Sequence, residues 1–225
     1  MIVVTGASKG LGRAICERLL SKKNSILGLA RNIDGLCYPA CVCDVGSYVE
    51  VKKVAKKIRE ERGRITALIN AAGVASMNLA LTTPSSSVQR IIQTNLIGTI
   101  NCCQLLTAPM LINKEGVIIN FSTIAVPLGL KGESVYVASK AGVEGFTRSF
   151  AREVSEYNVR VNCIAPGPIQ TNLLKGITPE QIQKIVNQQI INRQFTPEAV
   201  CDLVEILLDS RTSSISGQVL HVGGV

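Results

Sequence analysis

The chain has 225 residues, 46% of them hydrophobic and 18% charged, with a mean hydropathy of +0.28. That composition excludes a disordered or fibrous chain, and the length is enough to bury a core without disulfide or metal staples. The formal net charge of +8 is compatible with nucleic acid, membrane headgroups or anionic small molecules, but Trp is absent and no nucleic-acid motif appears, so charge alone makes no nucleic-acid binder.

Short apolar runs alternate with helical patterns along the chain. Residues 2–4 read as a strand, 13–20 as a helix, 25–30 as a second strand and 41–43 as a short third. Next comes Lys52, Lys53, Lys56, Lys57, Arg59, Arg62 and Arg64, with Val51, Val54, Ala55 and Ile58 at helical spacing: an amphipathic helix with a solvated basic face. A strand at 67–69, a long helix at 85–111 and a strand at 116–121 follow. The pattern closes with a helix at 138–157, a strand at 160–164, a helix at 199–209 and a strand at 219–222. This alternation predicts an α/β fold: a single-domain, doubly wound parallel sheet of Rossmann type over 1–225, with helices on both faces.

No apolar stretch approaches the ~18 residues a bilayer requires, and Thr5-Gly6 cuts off the apolar start. A soluble, cytoplasmic protein without membrane partners is expected. Eight cysteines lie mostly inside apolar segments, as small buried hydrophobes do, and are expected as reduced thiols. Cys37, Cys41 and Cys43 lack paired ligand spacing, and the single histidine, His221, is far away, so no metal is expected.

The chemistry begins at the first strand, which runs into Thr5-Gly6-Ala7-Ser8-Lys9-Gly10-Leu11-Gly12 before a helix. Glycines there permit a tight turn and close approach of backbone to a pyrophosphate, and the helix N-terminus offers free N–H groups. The second strand ends at Ala30-Arg31, where an acidic residue would bond a ribose 2′-hydroxyl and an arginine accommodates a 2′-phosphate. Arg31 and Lys9 together predict NADP(H) over NAD(H).

Seven segments then stand in order: the 5–12 turn, Cys43-Asp44-Val45, Asn70-Ala71-Ala72-Gly73, Thr94-Asn95, Tyr136-Val137-Ala138-Ser139-Lys140, Pro166-Gly167 with Thr171, and Gly217-Gln218 to Gly223-Gly224. In this order and spacing the chain resembles the short-chain dehydrogenase/reductase family over essentially its whole length. The likeness is nearest to bacterial 3-oxoacyl-acyl-carrier-protein reductases and related carbonyl reductases. The resemblance implies a catalytic set of Asn95, Thr123, Tyr136 and Lys140. In it the tyrosine protonates a carbonyl oxygen as hydride arrives from nicotinamide, the lysine also binds the nicotinamide ribose, and Asn95 helps to hold a water relay. Tyr136 and Lys140 sit four apart on one helical face, where an ammonium favours tyrosinate. Counting thirteen residues back from Tyr136 places Thr123 at the family's serine position; Ser122, one earlier, is the alternative hydroxyl. For the cofactor the resemblance implies Gly6, Ser8, Lys9, Gly10, Leu11, Gly12 and Arg31 at the phosphates and Asp44 with Val45 at adenine. Asn70, Ala71 and Gly73 would line the path, Pro166, Gly167, Ile169 and Thr171 would hold the carboxamide, and Tyr136 and Lys140 would meet the nicotinamide end.

Departures from the family narrow the reading. Only thirteen positions separate Arg31 from Asp44, too few for the usual helix, so 32–40 is expected as a loop with a more open adenosine side. Gly223 replaces an acidic residue common before the terminal glycine. Tyr157 stands where carrier-protein reductases need a docking base, although Lys114 remains as a candidate. The amide-rich stretch 172–196 is expected as a substrate lid, and the helices at 85–111 and 138–157 as surfaces of a homotetramer or homodimer. The leading function is NADPH-dependent reduction of a small-molecule carbonyl, with a carrier- or CoA-linked 3-oxoacyl thioester as one substrate class. The alternatives are oxidation or reduction of a sugar-linked or other secondary alcohol, and a non-catalytic NADP(H)-binding sensor.

Overall fold

The computed structural model describes residues 1–61, 63–170 and 178–225. β1 (Ile2–Thr5) leads through α1 (Gly10–Ser21) to β2 (Ile26–Ala30) and β3 (Ala40–Val42), and α2 (Tyr48–Glu61) returns to β4 (Ala67–Asn70). α3 (Ser85–Ile92), α4 (Gly98–Leu106) and α5 (Ala108–Asn113) precede β5 (Gly116–Phe121). The short α6 (Ala125–Leu128) and long α7 (Ser134–Glu153) lead to β6 (Val159–Pro166). α8 (Pro179–Val186), α9 (Pro197–Leu208) and β7 (Val219–Val222) complete the order.

All neighbouring strands pair in parallel, in the order β3-β2-β1-β4-β5-β6-β7. The order turns back between β1 and β4, which opens a crevice at their C-terminal ends. Alternation along the strands divides the core. Ile2, Val4, Ile69, Ile119 and Ile164 face α1 and α9, while Val3, Leu68, Ile118 and Val161 face α2, α4 and α7. A parallel sheet covered on both faces is thus the expected fold.

Two helical readings need correction. The single helix expected at 85–111 is interrupted twice. Residues Gln93–Ile97 wind as a π turn, and Pro109, which has no N–H to donate, restarts the chain as the first turn of α5. The helix expected from 138 begins one turn earlier, so Tyr136 and Lys140 both lie inside α7. The connection from β2 to β3 contains no helix, as its length required. Its Tyr38 nevertheless turns inward and is buried. Among the described residues, no helix is long and apolar enough to cross a membrane.

Candidate active site

A cavity of about 650 Å³ opens at the C-terminal edge of the sheet. One end is the turn after β1. Gly6 and Gly10 have positive φ of 67° and 56°, and a Cβ on Gly12 would lie 2.3 Å from the Gly6 carbonyl oxygen, so α1 rises directly off the turn. Gly6, Ser8, Lys9, Gly10 and Leu11 line the wall, whereas Gly12 is buried behind it as a packing glycine. No side chain caps α1, which leaves its first N–H groups to the cavity. This cradle and its length fit a dinucleotide.

Arg31, at the end of β2, and Lys9 bring two cations to the same end. Asp44 and Val45 form the next stretch of wall; Asp44 Oδ1 accepts the Gly46 N–H at 2.9 Å, while the Asp44 N–H donates to Glu50 at 2.8 Å. Ala71 and Gly73 continue it. Asn70 stands behind them in the sheet, 2% exposed, and its Nδ2 donates to Asn120 Oδ1 at 2.8 Å. Its role is to tie β4 to β5 beneath the cavity. Pro166, Gly167 and Ile169 close the far side. Thr171 lies outside the described residues, as does the first part of the expected lid. The described part of that lid carries α8, whose Thr178 and Gln181 form a reciprocal cap.

Thr123, Tyr136 and Lys140 converge on the opposite wall. Burial pushes the Tyr136 phenol well above its ordinary value; Glu133 adds to the rise and the Thr123 hydroxyl opposes it. Lys140 is 5% exposed and donates from Nζ to the Phe121 carbonyl at 2.8 Å, with Nζ 6.0 Å from the tyrosine ring centre. Burial lowers Lys140 to about 8. The expected acidification of Tyr136 by its neighbouring ammonium is therefore not seen: burial of the phenol and the Glu133 carboxylate raise it instead.

The two candidate hydroxyls have different surroundings. Ser122 is 3% exposed and donates at 2.7 Å to Glu144 Oε1, a carboxylate that α7 carries one turn beyond Lys140. Thr123 Oγ1 accepts the Ala125 N–H at 3.2 Å and stands on the cavity wall beside the Tyr136 phenol. Asn95 lies in the π turn, fully buried. Its Oδ1 accepts the Val74 N–H at 2.8 Å, and its Nδ2 donates to Val74 O at 2.9 Å and to Ser139 Oγ at 3.0 Å. It sits just behind the wall: a Cβ on Gly73 would be 3.5 Å from Asn95 Oδ1 and 3.6 Å from Lys140 Nζ.

Sequence reading passed over Glu133 and Arg90, which line the cavity, and Glu144 and Tyr38 behind it. Helical spacing was the signal available for two of them. Glu133 precedes Tyr136 by three residues and Glu144 follows Lys140 by four, which places both within one turn of the tyrosine–lysine pair. Among the described residues, no three potential ligands gather as a metal site, and all eight cysteines are free thiols.

A nucleotide cradle at the switch point of a parallel sheet, with a tyrosine–lysine pair across the crevice, defines an oxidoreductase built around a nicotinamide cofactor. The sequence profile of the short chain dehydrogenase family matches residues 1–182, and the chain belongs to this family. Carbonyl reductase family member 4 from Danio rerio is 35% identical over 234 residues, covering 100% of this chain and 96% of the relative. The 3-oxoacyl-acyl-carrier-protein reductase FabG of Vibrio cholerae is 32% identical, covering 99% and 95%. In fold, the chain is similar to ligand-free aldohexose dehydrogenase from Thermoplasma acidophilum, with a TM-score of 0.90 and 30% identity over 99% of this chain and 92% of that one.

Proposed function

We propose that this single-domain chain reduces a small-molecule carbonyl to a secondary alcohol with NADPH, using Thr123, Tyr136, Lys140 and Asn95. The observation that carries the reading is the convergence of the Thr123 hydroxyl, Tyr136 phenol and Lys140 ammonium on one wall of a cavity whose other end holds Lys9 and Arg31. The bound nicotinamide supplies the hydride that the carbonyl carbon accepts. Thr123 and Tyr136 hydrogen-bond the carbonyl oxygen and polarise it. Tyr136 gives that oxygen its proton as the C=O bond becomes a C–O–H. Lys140, one turn along α7, stabilises the phenolate left behind, and Asn95 fixes the Val74 backbone beside it. The two cations at the adenosine end support NADPH over NADH.

Likeness to FabG supports a 3-oxoacyl thioester as substrate, on a carrier or on coenzyme A. A second reading, oxidation or reduction of a sugar-linked or other secondary alcohol, draws on the aldohexose dehydrogenase likeness and on Glu133, a carboxylate in the cavity beside Tyr136 that suits a hydroxylated ligand. Free and mostly buried thiols support a reducing compartment such as the cytoplasm. Assembly is read as a homotetramer or homodimer through the α3–α5 and α7 surfaces, which light scattering would report as a multiple of 24.0 kDa. The activity test follows NADPH absorbance with acetoacetyl thioesters of acyl-carrier protein and of coenzyme A, with Tyr136→Phe as control. Consumption that vanishes in the variant is expected. No consumption by the wild type, with turnover of NADP+ on an aldose, would transfer the assignment to the second reading.

A further inference from the structure

The connection between β2 and β3, 31–39, is too short for a helix, and what takes the helix's place is Tyr38. Its ring is 6% exposed and lies on Gly28 of β2, where a Cβ would come within 3.2 Å of Tyr38 Cε2 and 2.8 Å of the Ala7 Cβ. Glycine at 28 lets both approach the strand. The Tyr38 hydroxyl donates to the Ala7 carbonyl at 2.6 Å, with the Cys16 thiol of α1 as its other neighbour. On its other side, the Ala7 N–H donates to Leu29 O at 3.2 Å. Both peptides of Ala7 are thus held from behind the nucleotide turn.

A trans peptide directs its C=O and N–H to opposite sides. Drawing the Ala7 carbonyl into the core therefore turns the Ser8 N–H outward, and Ser8 lines the cavity. Among the described residues, no backbone or side-chain group accepts that N–H. We propose that Tyr38 is a positioning residue for the dinucleotide: its buried hydroxyl orients the Ala7–Ser8 peptide so that the Ser8 N–H meets a phosphate oxygen of the cofactor. The inference rests on assigning this cavity to a nicotinamide dinucleotide, and it holds for either member of the NAD/NADP pair.

The test is ligand titration of the full chain, read by cofactor fluorescence well below the melting temperature. Tyr38→Phe keeps the ring and removes the hydroxyl. It is expected to raise the Kd for NADPH and for NADH about tenfold, the size of one hydrogen bond to a charged group. ADP should likewise compete about tenfold less well, whereas adenosine, which carries no phosphate, should compete unchanged. A general loosening of the turn would weaken ADP and adenosine alike. Either that result or Kd values within twofold of wild type, for which the hydrogen-bond scale is the yardstick, overturns the proposal. If the NADPH assignment itself fails, wild-type protein will bind NADH at least as tightly, and the comparison of variant with wild type stands.

Discussion

Thr123 and Ser122 are adjacent hydroxyls with opposite surroundings, and that difference decides what each substitution does. Thr123 lines the cavity beside Tyr136, where a substrate oxygen can take its hydroxyl proton, so Thr123→Ala should lower kcat by about 10²–10³, the size of losing one preorganised donor to a developing oxyanion. Ser122 spends its proton on the buried Glu144 carboxylate, which is left with the partly exposed Arg148 at 3.3 Å when Ser122 is truncated. Ser122→Ala should therefore destabilise by about 1–3 kcal/mol in thermal melting while turnover changes little. The reverse ranking of the two variants in kcat would move the catalytic hydroxyl to Ser122. Lys140 offers a separate test through pH. Burial lowers it from 10.5 to about 8, so between those values the unfolded chain binds more protons and stability rises with pH. Below pH 8 the full penalty of burying the ammonium is present. Lys140→Met removes that penalty but leaves the Phe121 carbonyl unpaired, for a net gain of roughly 1–3 kcal/mol at pH 7. The advantage should shrink as melting is repeated from pH 8 toward 10, and a gap that stays constant would show that Lys140 is not the group titrating.

At the scale of elements, the strands were legible because each is a short, mostly apolar run, and the alternation of Val3 with Ile2 and Val4 is enough to cover both faces of a sheet. The Tyr136–Lys140 pair and the glycine turn were legible because their spacing is set by local geometry, one helical turn in one case and one backbone reversal in the other. The π turn was not. Gln93–Ile97 has nothing in composition to distinguish it from α-helix, since the extra residue is tolerated for what Asn95 gains elsewhere: three hydrogen bonds to Val74 and Ser139, two elements distant in sequence. Tyr38 was hidden for the same reason, as its partner Ala7 lies 31 residues away; Glu144 shares a helical face with Lys140, but its partner Ser122, 22 residues away, was not legible. Asn95 makes this dependence measurable. Asn95→Ala leaves the Val74 N–H and C=O without their partner, so the Val74 amide should exchange with solvent faster by about one to two orders of magnitude, matching about 1–3 kcal/mol of local stability. Unchanged protection at Val74 would mean that the loop after β4 is held by other contacts.

For the molecule as a whole, the cofactor cleft is the place where β1, β2, β4, β5 and β6 end, so a ligand that spans it ties the two halves of the sheet together. Cofactor that binds only the folded chain stabilises it in proportion to the logarithm of its concentration over Kd, about 2.7 kcal/mol at one hundred times Kd. For a domain of this size that amounts to a rise in melting temperature of about 5–10 °C. In the proposed reading Arg31 and Lys9 meet the 2′-phosphate by which NADP+ differs from NAD+. At equal concentration NADPH should therefore raise the melting temperature more than NADH does. Arg31→Ala should narrow the difference, because the loop residue has no part in the buried core and its loss touches only the phosphate that distinguishes the two ligands. Melting curves taken with each ligand, for wild type and variant, give four shifts. The NADPH shift alone should fall in Arg31→Ala. Equal NADH and NADPH shifts in the wild type would remove the preference for NADPH altogether, whereas a fall in both shifts together in the variant would remove Arg31 as the source of discrimination and return the choice of cofactor to Lys9 and the turn after β1.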